Sequence, residues 1–539
     1  MIRRKSANIE IPLGKRTKFY RFFEILTPAI TYSVLILTII LSVWNVLYGA
    51  IYILIMVTWA FVRGLGILYS TIVGRGAYDA SLKIDWHQRL IDLQNGKATH
   101  NDNKEFLFER HLKYIDIYKS NKNKIHIEDV YHLVIVAIYN ESYDVVSATI
   151  QSLCDTTYNK DRMLICLAYE ERGGRLTAET AKRLQRKFKS KFADFVLVRH
   201  PSDIPGEVIG KGGNITYAAR EMSRYLQNNN ISSSQVVVTT LDSDNKPHPM
   251  YFDYVTYEYV IYEDRHRLSF QPISLFLNNI WDAPAPARII ATGNSFWNMV
   301  CSARPYALRN FASHSQPLSA LEEMNYWSTR TIVEDGHQYW RSYFHFRGHY
   351  AVVPIYLPIY QDAVCAESYQ KTLRSQFVQL RRWAYGVSDV AYVAQQLFKE
   401  KNTDFFWRTF FKFIALIEGN VTLGSLSIII AVGGWIPLLL NNHARNSIIA
   451  HQLPIVISSI QQMAMVGMLV AIVFSLLMLP PRPKRYSKFR TGLMILQWIL
   501  IPLTSILYNS LTSLYSQGRL MTGRYLDKFD VTEKTIVRE

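Results

Sequence analysis

The chain has 539 residues, enough for two or three domains with full hydrophobic cores, and a formal net charge of +17. Its four cysteines form no CxxC pair, which argues against a disulfide framework or a cysteine-based zinc site and indicates reduced thiols. No nucleic-acid-binding motif accompanies the basic charge, so we expect no nucleic-acid partner.

The first predicted elements are two membrane-spanning helices. Apolar sequence runs from about Ile25 to Ile72, which exceeds one span of about 20 residues and fits two spans joined by a tight turn. Basic residues before this run place the N-terminus in the cytosol, and two spans return the chain there. Residues 1–80 are therefore predicted to form a basic segment and two spans, and residues 81–130 an amphipathic collar.

From residue 131 onward, short apolar segments alternate with amphipathic ones. Four of them are predicted to be buried strands because they are short and rich in Val and Ile: His132–Ile138, Met163–Tyr169, Phe195–Val198 and Gln235–Leu241. The helical stretches between them include Thr177–Ser190 and Ile215–Gln227. The alternation predicts a doubly wound, mostly parallel α/β sheet over residues 131–400.

Polar side chains follow three of the four predicted strands. Such sheets bind ligands at the carboxyl ends of their strands, so these side chains mark a binding edge. They are Asn140 and Glu141, Glu170 and Glu171, and Asp242 and Asp244.

Asp242 and Asp244 flank a single residue after a buried strand. A loop there can turn both carboxylates toward one hard divalent cation, Mg²⁺ or Mn²⁺, which would offset charge on a leaving diphosphate. An Asx-type turn that closes the strand is the alternative for an isolated pair. The position after a strand and before Pro247 and Pro249 favours the ligand role.

Two further motifs stand at predicted helix starts. In the first turn of a helix, Asp335, which follows Glu334, can complement the dipole or act as a general base on an acceptor hydroxyl. The glycines of KGGN (Lys211–Asn214) permit close approach of a phosphate or a sugar, or form a simple turn. His248 and the histidines at 345 and 349 are interpreted as structural.

Gln379, Arg382 and Trp383 have the helical spacing i, i+3 and i+4, so they project from one face of a helix. Arginine suits a diphosphate through its fork of donors. Tryptophan suits the apolar face of a sugar ring. A basic and aromatic belt beside a membrane is the alternative interpretation.

The C-terminal region 401–516 is predicted to hold an interfacial helix and membrane helices. The segment Phe405–Phe413 is aromatic and basic, which is typical of a membrane surface. Three apolar stretches follow near Ile414–Leu440, Pro454–Leu479 and Gly492–Leu514. We expect the last, which contains Pro502, to be re-entrant or interfacial, leaving residues 517–539 in the cytosol.

Taken in order, five motifs resemble those of membrane-integrated family-2 glycosyltransferases, specifically the cellulose synthase-like processive polysaccharide synthases. The resemblance covers Tyr131 to about Gly386, the membrane flanks and the C-terminal motif. It implies an α/β GT-A-type catalytic domain embedded between transmembrane helices. The motifs are KGGN (Lys211–Asn214), LDSD (Leu241–Asp244), VED (Val333–Asp335), QLRRW (Gln379–Trp383) and FDVTEK (Phe529–Lys534).

The resemblance also implies a role for each matching residue. Asp335 would be the catalytic base, and Asp242 and Asp244 the ligands of Mg²⁺ or Mn²⁺. Nucleotide-sugar-binding residues would be Asn140, Glu141, Glu170, Lys211, Asn214, Asp242 and Arg382. Acceptor-binding residues would be Glu334, Gln379 and Trp383. The gating loop, closing over bound nucleotide from the cytosol, would comprise Phe529, Val531, Thr532 and Lys534.

The chain departs from the family pattern in two places. The carboxylate after the second strand is usually aspartate, whereas here it is Glu170 or Glu171, which leaves open which one contacts the nucleotide. The first position of the family's TED triplet is Val333.

The resemblance implies an inverting enzyme of the plasma membrane, with a cytosolic catalytic domain, that uses a UDP-sugar to elongate and translocate a β-linked polysaccharide. One alternative is a non-processive transferase that adds a sugar to a membrane lipid. Another is an exporter subunit with a non-catalytic domain. Expected partners are the UDP-sugar donor, a polysaccharide or lipid-linked acceptor, and membrane lipid. The sequence identifies neither the sugar nor partner subunits.

Overall fold

The computed structural model describes residues 9–12, 14–100, 105–121, 125–400 and 402–526. Its strands are β1 (Tyr131–Ile138), β2 (Met163–Glu170), β3 (Asp194–His200), β4 (Val236–Asp242), β5 (Lys246–Pro247), β6 (Leu268–Leu275), β7 (Ser315–Pro317) and β8 (Ala351–Tyr360). Its α-helices are α1 (Lys18–Trp44), α2 (Val46–Ser81), α3 (Trp86–Asn95), α4 (Phe108–Ser120), α5 (Tyr143–Cys154), α6 (Gly174–Phe188), α7 (Lys211–Asn228), α8 (Tyr251–Ile261), α9 (Ala285–Ser302), α10 (Leu318–Glu323), α11 (Glu334–His345), α12 (Tyr369–Ala384), α13 (Asp389–Leu397), α14 (Thr403–Val432), α15 (Ile436–Leu440), α16 (Ile448–Leu477), α17 (Lys488–Leu496), α18 (Ile501–Thr504) and α19 (Leu511–Met521).

The strands form one mixed sheet in the order β3-β2-β1-β4-β7-β6-β8-β5. The four strands predicted from the sequence are confirmed and form its parallel half, β3-β2-β1-β4. The other half is mixed: β6 and β8 pair in parallel, whereas β7 runs antiparallel to both β4 and β6, and β5 runs antiparallel to β8. The sheet is therefore mostly parallel, as predicted, with short antiparallel additions. Strand β7 is three residues long and has no apolar run that would reveal it.

Helices cover both faces of the parallel half. Leu133 and Ile135 of β1 pack in a core with Ile215 of α7, whereas the alternate residues Val134 and Val136 pack in a core with α5, α6 and α8. Burial on both faces explains why these strands are continuously apolar in sequence. It also leaves the carboxyl ends of β1, β2 and β4 together at one edge.

The collar region contains α3 and α4, which both pack against α8. The ring of Trp86 stacks on Tyr254, with 3.4 Å between ring centroids. Arg110 of α4 forms an ion pair of 2.5 Å with Glu258, whose side chain is fully buried. These contacts join the segment after α2 to the sheet domain, by which we mean residues 131–400.

In the described part of the chain, five helical segments are long and apolar enough to cross a membrane: Lys18–Trp44, Val46–Ser81, Thr403–Leu440, Ile448–Leu477 and Lys488–Met521. Large apolar side chains such as Ile40, Ile55 and Leu469 are exposed on their surfaces, as lipid-facing side chains would be. Residues 405–413, predicted to be interfacial, form the start of α14 and continue into its apolar part without a break.

The last apolar segment, residues 488–521, begins and ends against the sheet domain. Near its start, Arg490 Nη2 donates to the carbonyl oxygen of Trp281 at 2.9 Å. Near its end, Ser516 Oγ donates to the carbonyl oxygen of Arg381 at 2.6 Å. The segment is helical throughout and contacts the sheet domain at both ends, while its predicted re-entrant or interfacial character stays a prediction.

Candidate active site

Lys211, the first residue of α7, brings together two carboxylates that lie far apart in the sequence. Its Nζ is 2.9 Å from Asp242 Oδ1, at the end of β4, and 3.7 Å from Asp335 Oδ2, in the first turn of α11. The lysine side chain is only 9% exposed. Burial alone would lower the pKa of Lys211, but the two carboxylates outweigh it and raise the pKa above its ordinary value.

The two glycines after Lys211 allow α7 to begin in contact with its neighbours. A Cβ on Gly212 would lie 2.5 Å from the carbonyl oxygen of Ser328, and a Cβ on Gly213 would lie 2.7 Å from Glu207 Oε2. The groups that approach these glycines belong to the protein itself, and the predicted approach of a phosphate or a sugar stays a prediction. Their packing fixes where Lys211 projects.

Asn214 is buried and joins α7 to the sheet. Its Nδ2 donates to the carbonyl oxygen of Ala168 in β2 at 3.1 Å. Its Oδ1 is buried and accepts no hydrogen bond from the described residues. The structure thus gives Asn214 a contact with the protein backbone, while its predicted contact with nucleotide stays a prediction.

Glu334 lies beside the cluster and is buried. Burial, and next the adjacent Asp335, raise the pKa of Glu334 to about 8, while the charges of Lys211 and Arg382 act in the opposite direction. The raised pKa favours the neutral form of Glu334, which adds less negative charge beside Asp335 than an ionised carboxylate would.

His314 lies behind Asp335 and was not predicted from the sequence. Its Nδ1 is 2.9 Å from the carbonyl oxygen of Phe311 and 4.0 Å from Asp335 Oδ1. Complete burial lowers the pKa of His314, so the ring is neutral at pH 7. Asp335 Oδ1 is buried and accepts no hydrogen bond from the described residues, so this oxygen can accept a proton.

The carboxylates of Asp242 and Asp244 have different environments. The Asp242 side chain is one-third exposed, whereas Asp244 is buried and its Oδ2 accepts the backbone N–H of Asp362 at 3.0 Å. Among the described residues, no three His, Cys, Asp or Glu side chains form a metal-binding group. Two carboxylates still fit a Mg²⁺ or Mn²⁺ ion that completes its coordination with phosphate oxygens and water.

Both glutamates after β2 are paired with cationic side chains. Glu170 Oε2 lies 2.7 Å from Arg172 Nη2 and 3.1 Å from His200 Nδ1. Glu171 Oε1 lies 3.1 Å from Arg199 Nη2. These pairings do not show which of the two glutamates would contact a nucleotide.

His200 also bonds a second carboxylate, Glu207, at 3.1 Å through Nε2. Burial lowers the pKa of His200, but the bonds to Glu170 and Glu207 reverse the effect and raise it to about 9. The charged ring therefore holds the loop before Lys211 against the end of β2. The sequence did not predict this network, because the proline and acidic residues of that loop follow no recognisable pattern.

The two residues predicted after β1 are also at the sheet edge. Asn140 is exposed. Glu141 Oε2 accepts the backbone N–H of Tyr139 at 2.7 Å, which closes the turn after β1.

Gln379, Arg382 and Trp383 lie in the last turns of α12, which confirms the predicted helix. The Trp383 side chain is 38% exposed, and its ring centroid is 6.0 Å from that of Phe276. Gln379 Oε1 accepts a hydrogen bond of 3.2 Å from Gln376. An exposed indole is a suitable surface for the apolar face of a sugar ring.

The remaining predicted residues fall into two groups. Phe529, Val531, Thr532 and Lys534, the predicted gating loop, lie outside the described residues. Among the histidines interpreted as structural, His345 Nε2 pairs with Glu323 Oε1 at 2.9 Å. Burial lowers the pKa of His248 to about 4.

No family model matches the chain, and no curated protein matches it. Among solved structures, the mannosyltransferase PcManGT from Pyrobaculum calidifontis, in complex with GDP-Man and Mn²⁺, aligns with 82% of this chain and 98% of its own. The identity is 13% and the TM-score 0.37. S. aureus TarS 1-349 aligns with 63% of this chain and 90% of its own, with 13% identity and a TM-score of 0.29. Similarity at this level supports no conclusion about activity.

Proposed function

We propose that the chain is a membrane-bound inverting glycosyltransferase that transfers a sugar from a UDP-sugar to a growing β-linked polysaccharide and translocates the product. The cluster of Lys211, Asp242 and Asp335 at the carboxyl edge of the parallel strands carries this proposal. The GT-A-type, family-2 assignment rests on the motifs and belongs to the proposal.

Asp335 is the general base in this mechanism. Its carboxylate takes the proton of the acceptor hydroxyl as the hydroxyl oxygen attacks the anomeric carbon. The bond from that carbon to the diphosphate oxygen breaks on the opposite face, and UDP leaves. A single displacement inverts the configuration, so an α-linked donor gives a β-linked product.

Cationic side chains meet the charge of the leaving diphosphate. Lys211 provides a buried ammonium at the cluster, and Arg382 provides a guanidinium fork at the end of α12. Asp242 and Asp244 would hold Mg²⁺ or Mn²⁺, which neutralises diphosphate charge when bound. Protonated Glu334 keeps a further negative charge away from Asp335.

Other residues at this edge would hold the two substrates. Glu334, Gln379 and Trp383 would bind the acceptor, with the exposed indole stacked on a sugar ring. The nucleotide sugar would lie along the ends of β1, β2 and β4 and the start of α7. The nucleotide-sugar residues there would be Asn140, Glu141, Glu170, Lys211, Asn214 and Asp242. The loop of Phe529, Val531, Thr532 and Lys534 would close over it.

The proposed location is the plasma membrane, with the sheet domain in the cytosol. The apolar segments supply the spans, and the contacts of residues 488–521 with the sheet domain at both ends favour a cytosolic C-terminus. Basic residues stand at the sheet-domain ends of these segments, as the positive-inside rule requires. They include Lys15, Arg16, Lys18, Lys484 and Lys488.

The test is UDP release by the purified full chain with a panel of UDP-sugars and Mg²⁺ or Mn²⁺. Asp335→Asn should lower release by about 10²–10⁴-fold, the usual contribution of a general base. Asp264→Asn is the matched control, since its side chain is 74% exposed in a turn. Near-wild-type release by Asp335→Asn would refute the assignment of the base. A lipid product that carries one added sugar would refute the processive reaction and show that the enzyme makes a single transfer.

A further inference from the structure

A cavity of about 690 Å³ lies away from the Lys211 cluster, between the sheet domain and the start of the last apolar segment. Its walls are the start of α9, residues 365–372 before and within α12, the helix α17 and the 3-10 turn that follows it at residues 497–500. Its volume is in the range of small-molecule binding sites. None of the residues in the Lys211 cluster contributes to it.

Two arginines face this cavity. Arg288 is only 3% exposed; its Nε donates to Gln497 Oε1 at 2.7 Å, and its Nη1 donates to the carbonyl oxygen of Ala283 at 2.6 Å. Arg490 Nη2 donates to the carbonyl oxygen of Trp281 at 2.9 Å and more weakly to that of Ala283, and its Nε is buried with no hydrogen-bond partner among the described residues. Neither arginine forms an ion pair with any residue that the structure describes.

The acidic residues of the cavity wall do not compensate these charges, because each is paired with a different cation. Asp282 Oδ1 lies 2.8 Å from Arg485 Nη2, and Glu367 Oε2 lies 2.6 Å from Lys371 Nζ. Burial and the neighbouring guanidinium lower the pKa of Arg288 to about 10. Both guanidinium groups donate to the carbonyl oxygen of Ala283, at 2.6 Å from Arg288 and 3.4 Å from Arg490, so two like charges lie close together and an anion would stabilise both.

The wall that continues from Arg490 along α17 is apolar and belongs to a segment suited to a membrane. It consists of Leu493, Leu496, Ile499 and Leu500, of which Leu496 is 60% and Ile499 77% exposed. A free phosphate would contact only the arginines. A lipid with a phosphate head group and an acyl chain would contact both the arginines and this wall.

We propose that this cavity binds an anionic membrane lipid, with its phosphate between Arg288 and Arg490 and an acyl chain along the leucine-rich wall. The site lies at the start of α12, and Arg382 lies roughly 20 Å further along that helix at 1.5 Å per residue. The lipid therefore does not react at the Lys211 cluster. The bound lipid holds the start of α12, the helix that carries Arg382 and Trp383, at the membrane.

The test is isothermal titration calorimetry of the full chain in neutral detergent. Short-chain phosphatidylglycerol, short-chain phosphatidylcholine and inorganic phosphate are titrated in separate experiments. Phosphatidylglycerol should bind most tightly. The double variant Arg288→Gln/Arg490→Gln should weaken this binding at least about tenfold, because two charge-assisted hydrogen bonds are lost. The control, Arg482→Gln/Lys484→Gln, removes two exposed charges outside the cavity and should bind as the wild type does.

A second variant guards against misfolding of the first. Leu493→Glu keeps both arginines and places a carboxylate between them and the lipid, so it should also weaken binding about tenfold or more. Equal binding in all variants would refute the site, as would equal affinity for phosphatidylcholine. Inorganic phosphate that binds as tightly as phosphatidylglycerol would assign the site to free phosphate and overturn the lipid. The titration needs no sugar donor, so its outcome is independent of the proposed transferase activity.

Discussion

Replacing Gly212 by alanine should push the start of α7 away from Ser328, which lies in the loop before α11, the helix that carries Asp335. The new Cβ would lie 2.5 Å from the carbonyl oxygen of Ser328 and 3.2 Å from the Cβ of Glu334. The first distance is about 0.9 Å short of ordinary contact, which begins at 3.4 Å. The obstacle is backbone, so it has no rotamer by which to move away.

The size of the effect follows from these distances. Overpacking of this kind costs about 1–3 kcal/mol, and the better helix propensity of alanine offsets roughly 0.5–1 kcal/mol of it. A net loss of roughly 0.5–2 kcal/mol in the free energy of unfolding is therefore expected. The shift also carries Lys211 away from Asp242 and Asp335. A displacement of about 1 Å at a reacting group can cost about 100-fold in rate, so UDP release should fall by that order.

The measurements are chemical denaturation in detergent and UDP release with the active donor. Gly293→Ala is the matched control, because Gly293 is exposed on α9 and a Cβ there would meet nothing within 4 Å. That variant should be as stable as the wild type or slightly more so, with unchanged UDP release. Wild-type stability and wild-type release by Gly212→Ala would refute the packing argument. Lost stability with full activity would show that the position of Lys211 does not matter.

Three further predictions concern stability. Trp86→Ala removes the ring that stacks on α8 and should lower the free energy of unfolding by about 3–5 kcal/mol in denaturant titrations; a loss under about 1 kcal/mol would contradict the role of the collar. The bonds to Glu170 and Glu207 overcome burial and raise the pKa of His200 to about 9, so its stabilising charge is complete below its unfolded value near 6.5 and is lost as the pH rises through 9. His200→Gln should flatten the stability profile between pH 7 and 10, and an unchanged slope would contradict this. Burial raises the pKa of Glu334 to about 8, so its contribution is lost as the pH rises through 8; Glu334→Gln should therefore be more stable than the wild type at pH 9, and equal stability there would count against a buried proton.

The sequence predicted the parallel half of the sheet because its strands are buried on both faces. Val134 and Ile135 point to opposite faces and both are apolar, so the strand appears as a continuous run. The mixed half was not predicted, because β7 contains Ser315 and Pro317 and pairs with β4 over three residues only. Its place in the sheet is decided by tertiary packing and not by local sequence pattern.

The site shows the same division. Lys211, Asp242 and Asp335 were found through motifs whose spacing is local, and the fold brings them together. His314 was missed, because it precedes a short strand and acquires its position only when α11 packs beside it. Glu207, the second carboxylate that bonds His200, was missed for the same reason, since it lies in an irregular loop.

The most direct test of the account is the product formed from a labelled UDP-sugar by the full chain in proteoliposomes, with its size measured by gel filtration and its linkage by NMR. We predict a long polymer with β-linkages, absent in Asp335→Asn. An α-linked product from an α-linked donor would contradict a single displacement with Asp335 as the base. No incorporation from any donor, with or without Mg²⁺ or Mn²⁺, would contradict sugar transfer itself.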